Sequence, residues 1–407
     1  MTNLADGVAV VAWAWLASLL TRDPLLIALV PIALKLPWFA FAIPAGIVTD
    51  RMDRRRLIIA MDILRAAGFV TATIAIWAAL PLADAPARGL AAPGLFALIM
   101  GAALSVGIAE VFRDNASQTI LPALTPHAQL ERANGRLWSV ELVGNALLGP
   151  ALGAFLIAAF LPAPFALNAA CYAVAIWLVW RLTGNFKPEV TQSRDWRREL
   201  KEGYDFLIAA PFLRVLALIT GVWNLLFEMI TVPLVLHVQD NLGLDARAYG
   251  LILAAGAIGG IAGGLMAERV IALLGPKRTA QIMLAASAPA FFAFAYAPGP
   301  VSLGVFMAVF QFTGLVWNTV SVSYRQRMIP DALLGRVNSL YRLLAWGMMP
   351  VGLLASGLIM RGASAALPHQ NAVLVPILVA AIGATILAII GWRALERWFP
   401  ASNPPAT

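Results

Sequence analysis

A few side chains stand out for the chemistry that their types and spacing allow. Thr220, Asn224 and Glu228 recur at i, i+4 and i+8 in an otherwise apolar run, which places them on one face of a helix. Gln311 and Asn318, seven apart, share a face of a second apolar helix, flanked by Phe312 and Trp317. Amides beside aromatic rings suit an amphipathic organic ligand, and the competing role for each amide is a hydrogen bond between helices. Glu228 is the leading candidate for a proton-coupling carboxylate, because an ionisable group deep in an apolar run is costly to keep. Lys35, deep in a run of its own, is its candidate partner, and Asp6 is a second candidate proton carrier. Asp62 and Arg65, three apart, are expected to pair with each other. Glu110, Arg113, Asp114 and Glu141 read as members of a salt-bridge network at helix ends. His127, His237 and His369 form no ligand pattern, and the one cysteine, Cys171, removes disulfides and thiolate sites. No metal and no cofactor are expected.

These groups need an apolar scaffold to hold them, and the composition supplies one. Of 407 residues, 61% are hydrophobic and 12% charged, with a mean hydropathy of +0.81. Soluble domains run at roughly 45–50% and 25%. The excess cannot be hidden inside a soluble core, and disordered chains are polar, so both classes are excluded. A bilayer core of about 30 Å takes about 20 apolar residues per helix. Twelve such runs lie near 5–21, 25–48, 57–79, 93–112, 137–160, 163–182, 213–236, 247–267, 279–297, 301–322, 339–360 and 372–392. Nothing alternates with period two over strand-length segments, which excludes a transmembrane barrel.

Sorting the basic residues by loop gives the orientation. One side holds Arg51/Arg54/Arg55/Arg56, Arg132/Arg136, Arg194/Arg197/Arg198/Lys201, Lys277/Arg278, Arg325/Arg327/Arg336 and Arg393/Arg397. The other holds Arg22, Arg88, Arg247 and Arg361, at most one per loop. Both termini are therefore expected in the cytoplasm, in a multi-pass protein of the inner (plasma) membrane. The net charge of +8 becomes a topology signal, and no nucleic-acid partner is expected. No basic region precedes the first span, so no cleavable signal is read.

The longest polar stretch divides the chain. The expected organisation is a six-helix bundle over 1–183, a linker over 184–210, a second bundle over 211–393 and a tail over 394–407. Within the linker, "RDWRRELKEGYDFLIAAPFLR" reads as an amphipathic surface helix, with Phe206 and Leu207 dipping toward lipid. The halves echo each other. "GIVTDRMDRRR" from Gly46 is matched by "GLMAERVIALLGPKR" from Gly264, and "ILPALTPHAQLERANGR" by "MIPDALLGRVNS". "GPALG" (149–153) is matched by "MPVG" (349–352). Duplicated halves of this kind are a transporter signature. In the fifth span Gly149, Pro150 and Gly153, with Asn145, form a small-residue face. Gly256, Gly260 and Gly264 form one in the eighth, and both suit close helix packing.

The Gly46–Asp50–Arg51–Arg54–Arg55 pattern, Gly-x-x-x-Asp-Arg-x-x-Arg-Arg after the second span, resembles the signature loop of the major facilitator superfamily. The surrounding "LPWFAFAIPAGIVTDRMDRRRLI" is similar to bacterial exporters of the enterobactin-exporter type. The resemblance covers nearly the whole chain and implies twelve helices in two pseudo-symmetric bundles, an all-α membrane fold. It implies that spans one, four, seven and ten line a central cavity. It implies that spans five and eight pack together, and that "GPALG" partly matches an antiporter motif. It also implies that the signature loop is a latch that breaks during alternating access. On physical grounds Gly46 would allow a close helix approach, Asp50 would sit at a helix N-terminus, and the arginines would meet carboxylates or lipid phosphate. Asp53 departs from the pattern, which commonly has glycine there.

The reading is a secondary transporter, a proton-coupled exporter (antiporter) of small hydrophobic or amphipathic compounds, monomeric in the lipid bilayer. A siderophore or lysophospholipid transporter is the alternative on the same scaffold. A polytopic membrane enzyme or a non-transporting sensor is a remoter one. No Gly-x-x-x-x-Gly-Lys-Ser/Thr loop occurs, so ATP drive is not supported.

Overall fold

Aspartate and proline set many of the helix starts. After α1 (Thr2–Leu20), Asp23 caps α2 (Pro24–Ala40) by accepting from the Leu25 N–H at 3.1 Å. Pro24 at the first helical position leaves no N–H wanting a partner. Helix α2 ends at Ala40, the residue whose carbonyl the ring of Pro44 would strike in a continuous helix. The chain resumes as α3 (Ala42–Thr49), bent by 57° from α2. Asp53 then caps α4 (Arg54–Ala78) through the Arg56 N–H at 3.0 Å. The aspartate at the position where the signature loop commonly has glycine is therefore a helix cap, placing three arginines on the first turn.

The computed structural model describes residues 1–49, 51–124, 140–184, 186–187 and 196–400, which are helical almost throughout with no strand among them. The remaining helices are α5 (Pro93–Leu124), α6 (Gly149–Ala159) preceded by a π-helical turn (Leu142–Leu148), and α7 (Ala163–Trp180). Then come the linker helix α8 (Trp196–Ala209), α9 (Pro211–Leu236), α10 (Ala246–Leu274) and α11 (Pro276–Tyr296). The chain continues with α12 (Pro300–Met328), α13 (Asp331–Trp346), α14 (Met348–Ala363) and α15 (His369–Trp398). Among the described residues, eleven helical stretches are long and apolar enough to cross a membrane, and twelve when α2 and α3 count as one bent span. Leu273 and Val301 are 83% and 80% exposed, which a soluble protein avoids in such numbers but a lipid-facing surface requires. Exposed Trp77, Trp180, Tyr296 and Trp398 lie at or near helix ends, as interfacial aromatic anchors do.

The chain forms two units: residues 1–192 with 238–254, and residues 193–237 with 255–407. In the first, glycines let backbones touch. A Cβ on Gly149 would collide with Gly7 of α1, and one on Gly153 with the Val8 carbonyl. Gly250 sits against Pro150 and Ala154 in the same way. Between helices in lipid, such packing replaces the missing hydrophobic drive. In the second unit the tight face of α10 is Gly259 and Gly263, which lie on the backbone of Ala308 and Phe312 of α12. Gly256 and Gly260 meet side chains, and a Cβ on Gly264 would meet nothing within 4 Å among the described residues. The expected Gly256/Gly260/Gly264 face is thus one residue out of register with the closest contact. Sequence spacing gives a stripe of small residues but not which of two overlapping stripes touches a neighbour.

The linker helix also differs from expectation. Leu207 is buried against Leu213, Ile329 and Val337, with Phe206 packed beside it, so these two face protein. Glu202 pairs with Arg336 at 2.5 Å and with Arg198 at 3.1 Å. Tyr204 and Ile208 are the exposed apolar groups. An amphipathic pattern shows that a face is buried; it does not distinguish a lipid from a neighbouring helix.

Candidate functional site

Two polar constellations stand out, one in each unit. The second unit contains a cavity of about 200 Å³. Helix α9 contributes Thr220, Trp223 and Asn224, and α11 contributes Met283, Leu284 and Ser287. Gln311, Thr313 through Leu315, Trp317 and Asn318 of α12, with Trp346 of α13, complete the lining, which among the described residues includes no charged side chain. All five residues singled out as cavity candidates line this one space.

Their hydrogen bonds divide them. The Thr220 hydroxyl pairs with the Tyr341 hydroxyl at 2.8 Å, and Tyr341 also meets Ser321 at 3.0 Å and the Leu216 carbonyl at 3.2 Å. Asn224 donates to the Ala345 carbonyl at 2.9 Å. These two residues therefore tie α9 to α13. The amides of Gln311 and Asn318 have no hydrogen-bond partner among the described residues. Trp223 is fixed by stacking, 4.9 Å and 10° from Phe310 and 5.6 Å and 19° from Phe227. Sequence reasoning missed Trp223, Ser287, Thr313 and Trp346. A tryptophan beside Asn224 was the one signal available, since single hydroxyls carry no spacing.

In the first unit, Asp6 of α1 accepts from the Arg65 guanidinium and from the Tyr172 hydroxyl, each at 2.5 Å. The guanidinium also lies over the Tyr172 ring, 4.4 Å from its centroid, and 3.9 Å from Glu110. Asp62, fully buried, accepts from Arg113 at 2.8 Å. Asp62 and Arg65 therefore do not pair with each other. Each turns instead to a charge on another helix, Asp62 to Arg113 of α5 and Arg65 to Asp6 of α1. The Asp62 Oδ2 and Arg65 Nε atoms are buried without a hydrogen-bond partner among the described residues. Lys35 belongs to this unit, where its charge acts on Glu110. Glu228 belongs to the second unit, is 2% exposed, and accepts from the Thr231 hydroxyl at 3.3 Å.

The signature-loop residues are placed as follows. Asp50 lies outside the described residues, as does the stretch 125–136 of the second sequence echo. Arg51 is exposed in the turn. The Arg54 N–H donates to the Phe186 carbonyl at 3.3 Å. Arg55 donates from Nε to the Val179 carbonyl at 3.1 Å and from Nη2 to the Trp180 carbonyl. Arg55 thus neutralises the carbonyl end of α7, where the helix dipole favours a cation, and its partners are carbonyls instead of carboxylates. A Cβ on Gly46 would meet nothing within 4 Å among the described residues, which show no close helix approach there.

Comparison with known proteins gives the context. The family model described as "transmembrane secretion effector" matches residues 1–398. The chain is 26% identical over 378 residues to the multidrug efflux pump Tap of Mycolicibacterium fortuitum, covering 86% of this chain and 85% of that one. It is 26% identical over 310 residues to the enterobactin exporter EntS of Escherichia coli O1:K1 / APEC, covering 73% and 67%. In fold it is similar to a bacterial homologue of the iron transporter ferroportin in an inward-facing state (TM-score 0.74, 17% identity, 97% of both chains). It is similar also to a D-xylose-proton symporter (TM-score 0.74, 14% identity, 100% and 96%). The chain belongs to the transmembrane secretion effector family of the major facilitator superfamily: a multi-pass membrane transporter, not an enzyme.

Proposed function

We propose that the protein is a proton-coupled exporter of small amphipathic compounds that works by alternating access in a bacterial inner membrane, with both termini cytoplasmic. The observation that carries the substrate class is the cavity of the second unit, where, among the described residues, two unpartnered amides stand among tryptophans and no charged side chain lines the wall. An aromatic, weakly polar wall favours ligands with an apolar body and a hydrogen-bonding edge. Efflux relatives support the export direction. Proton coupling rests on the first unit, where Asp6, Arg65 and Tyr172 form a charged cluster inside a membrane span. Ionisable groups kept at that depth mark proton or ion pathways by default. Glu228 and Asp6 are the two carrier candidates, and Gly46, Asp50, Arg51, Arg54 and Arg55 form the conformational latch.

Flux in proteoliposomes with an imposed pH gradient, across dyes, drugs and siderophores, is the test. Uphill movement of an amphipathic dye is expected only while the gradient lasts. In the variant that removes the proton carrier, Asp6→Asn or Glu228→Gln, downhill exchange should persist while the pH dependence disappears. Unchanged pH dependence in both would remove proton coupling from these positions. Asp50→Asn should lower flux several-fold with insertion intact, and wild-type flux in an inserted Asp50→Asn protein would sink the latch.

A further inference from the structure

We infer that the cavity of the second unit recognises an uncharged, flat one- or two-ring group bearing an amide-like edge, and that Gly314 sets its size limit. The inference rests on the exporter reading of that cavity and narrows it to one chemical class.

Size comes first. An apolar cavity of about 150 Å³ takes up benzene, so a space of about 200 Å³ holds a ring system somewhat larger. Shape follows from the aromatic walls. Trp223 is held in one orientation by parallel stacking on Phe310 and Phe227, and a wall that need not reorganise loses no side-chain entropy on binding. Aromatic faces favour offset stacking with another ring.

Charge is selected by what is missing and by what the nearby cations already do. Among the described residues, no charged side chain lines the space. Arg325 lies over the Tyr341 ring at 4.0 Å and Arg342 over the Trp346 ring at 4.2 Å, both outside the lining. An ion entering would lose its hydration with no counter-charge on the described wall to replace it. The polar specificity comes from Gln311 and Asn318, whose amides have no partner among the described residues. A carboxamide offers a donor and an acceptor side by side, so its complement is a lactam or amide edge. A site built around such groups rejects a ligand that leaves them unpaired. Gly314 lines the space, and a Cβ there would come within 3.4 Å of the Trp223 ring, ordinary contact without a clash. Gly314→Ala therefore fills the cavity without forcing the helices apart.

The test is equilibrium dialysis with the purified full-length protein in nanodiscs. It uses three two-ring probes of nearly equal size: 2-quinolinone (neutral, with a lactam edge), N-methylquinolinium (cationic) and 2-naphthoate (anionic). The single-ring lactam 2-pyridone is the size control. 2-Quinolinone should bind at least tenfold more tightly than either ion. Gln311→Leu and Asn318→Leu should each weaken it several-fold, while Gly314→Ala weakens 2-quinolinone and spares 2-pyridone. Equal affinity for an ion, absence of 2-quinolinone binding, or wild-type affinity in both amide variants would overturn the inference. Flux keeps the two readings apart. Uphill export of a dye that ignores Gln311 and Asn318 would leave the exporter standing without this site. Selective 2-quinolinone binding by a protein that moves no compound uphill would leave the site and remove the exporter.

Discussion

Replacing Arg65 with alanine is expected to abolish uphill transport and to cost about 3–5 kcal/mol of stability, the range for deleting one partner of a buried ion pair. Arg65 is 3% exposed and bonds to Asp6 at 2.5 Å, with Glu110 at 3.9 Å and the Tyr172 ring at 4.4 Å. Its loss would leave Asp6, whose side chain is 20% exposed, in a mostly apolar span without its cation, while Glu110, 38% exposed and 3.9 Å from the guanidinium, adds much less. The penalty comes from that uncompensated charge more than from the lost bond itself. Asp6→Asn added to Arg65→Ala should therefore recover most of the stability without recovering transport. Unfolding in detergent and flux in proteoliposomes measure the two quantities separately. Wild-type stability in Arg65→Ala would show that the pair contributes nothing, and recovered pH-dependent flux in the double variant would remove Asp6 from the coupling.

A second large effect is expected at Gly259. Its missing side chain lets α10 rest on the Ala308 backbone of α12, and a Cβ would collide with the carbonyl there. Backbone cannot swing aside as a flexible side chain does, so Gly259→Ala must push the helices apart. Overpacking of this kind costs about 1–3 kcal/mol. Gly264→Ala, where a Cβ meets nothing within 4 Å among the described residues, should be neutral or slightly stabilising through helix propensity, by up to about 1 kcal/mol. Thermal unfolding of both variants in one detergent gives the comparison. Equal melting temperatures would contradict the packing face assigned to α10.

Much of the architecture was legible because it depends on one-dimensional properties. Apolar run length is fixed by bilayer thickness, so the spans stand out in the sequence before any contact is known. The polar candidates were legible for a related reason. Thr220, Asn224, Gln311 and Asn318 are conspicuous in apolar helices, and helical periodicity puts members of each set on one face. Periodicity does not say whether an amide on that face is spent or available. The structure ties Asn224 to the Ala345 carbonyl and leaves Gln311 unpartnered among the described residues, a difference set by α13, far away in sequence.

The buried charges show the same boundary. Asp62 and Arg65 sit three apart and looked like partners, yet Asp62 takes Arg113 and Arg65 takes Asp6. Local spacing offers a pairing; which pairing forms depends on the charges that neighbouring helices bring within reach. Sequence alone determined the membrane class, the spans and the signature loop, because hydrophobic length and loop motifs are local along the chain. Tertiary structure alone decided which glycines touch backbone, which amides remain open and which carboxylate holds which arginine. Those outcomes depend on distances between helices, and an energy that falls off within a few ångströms is settled only once the helices have packed.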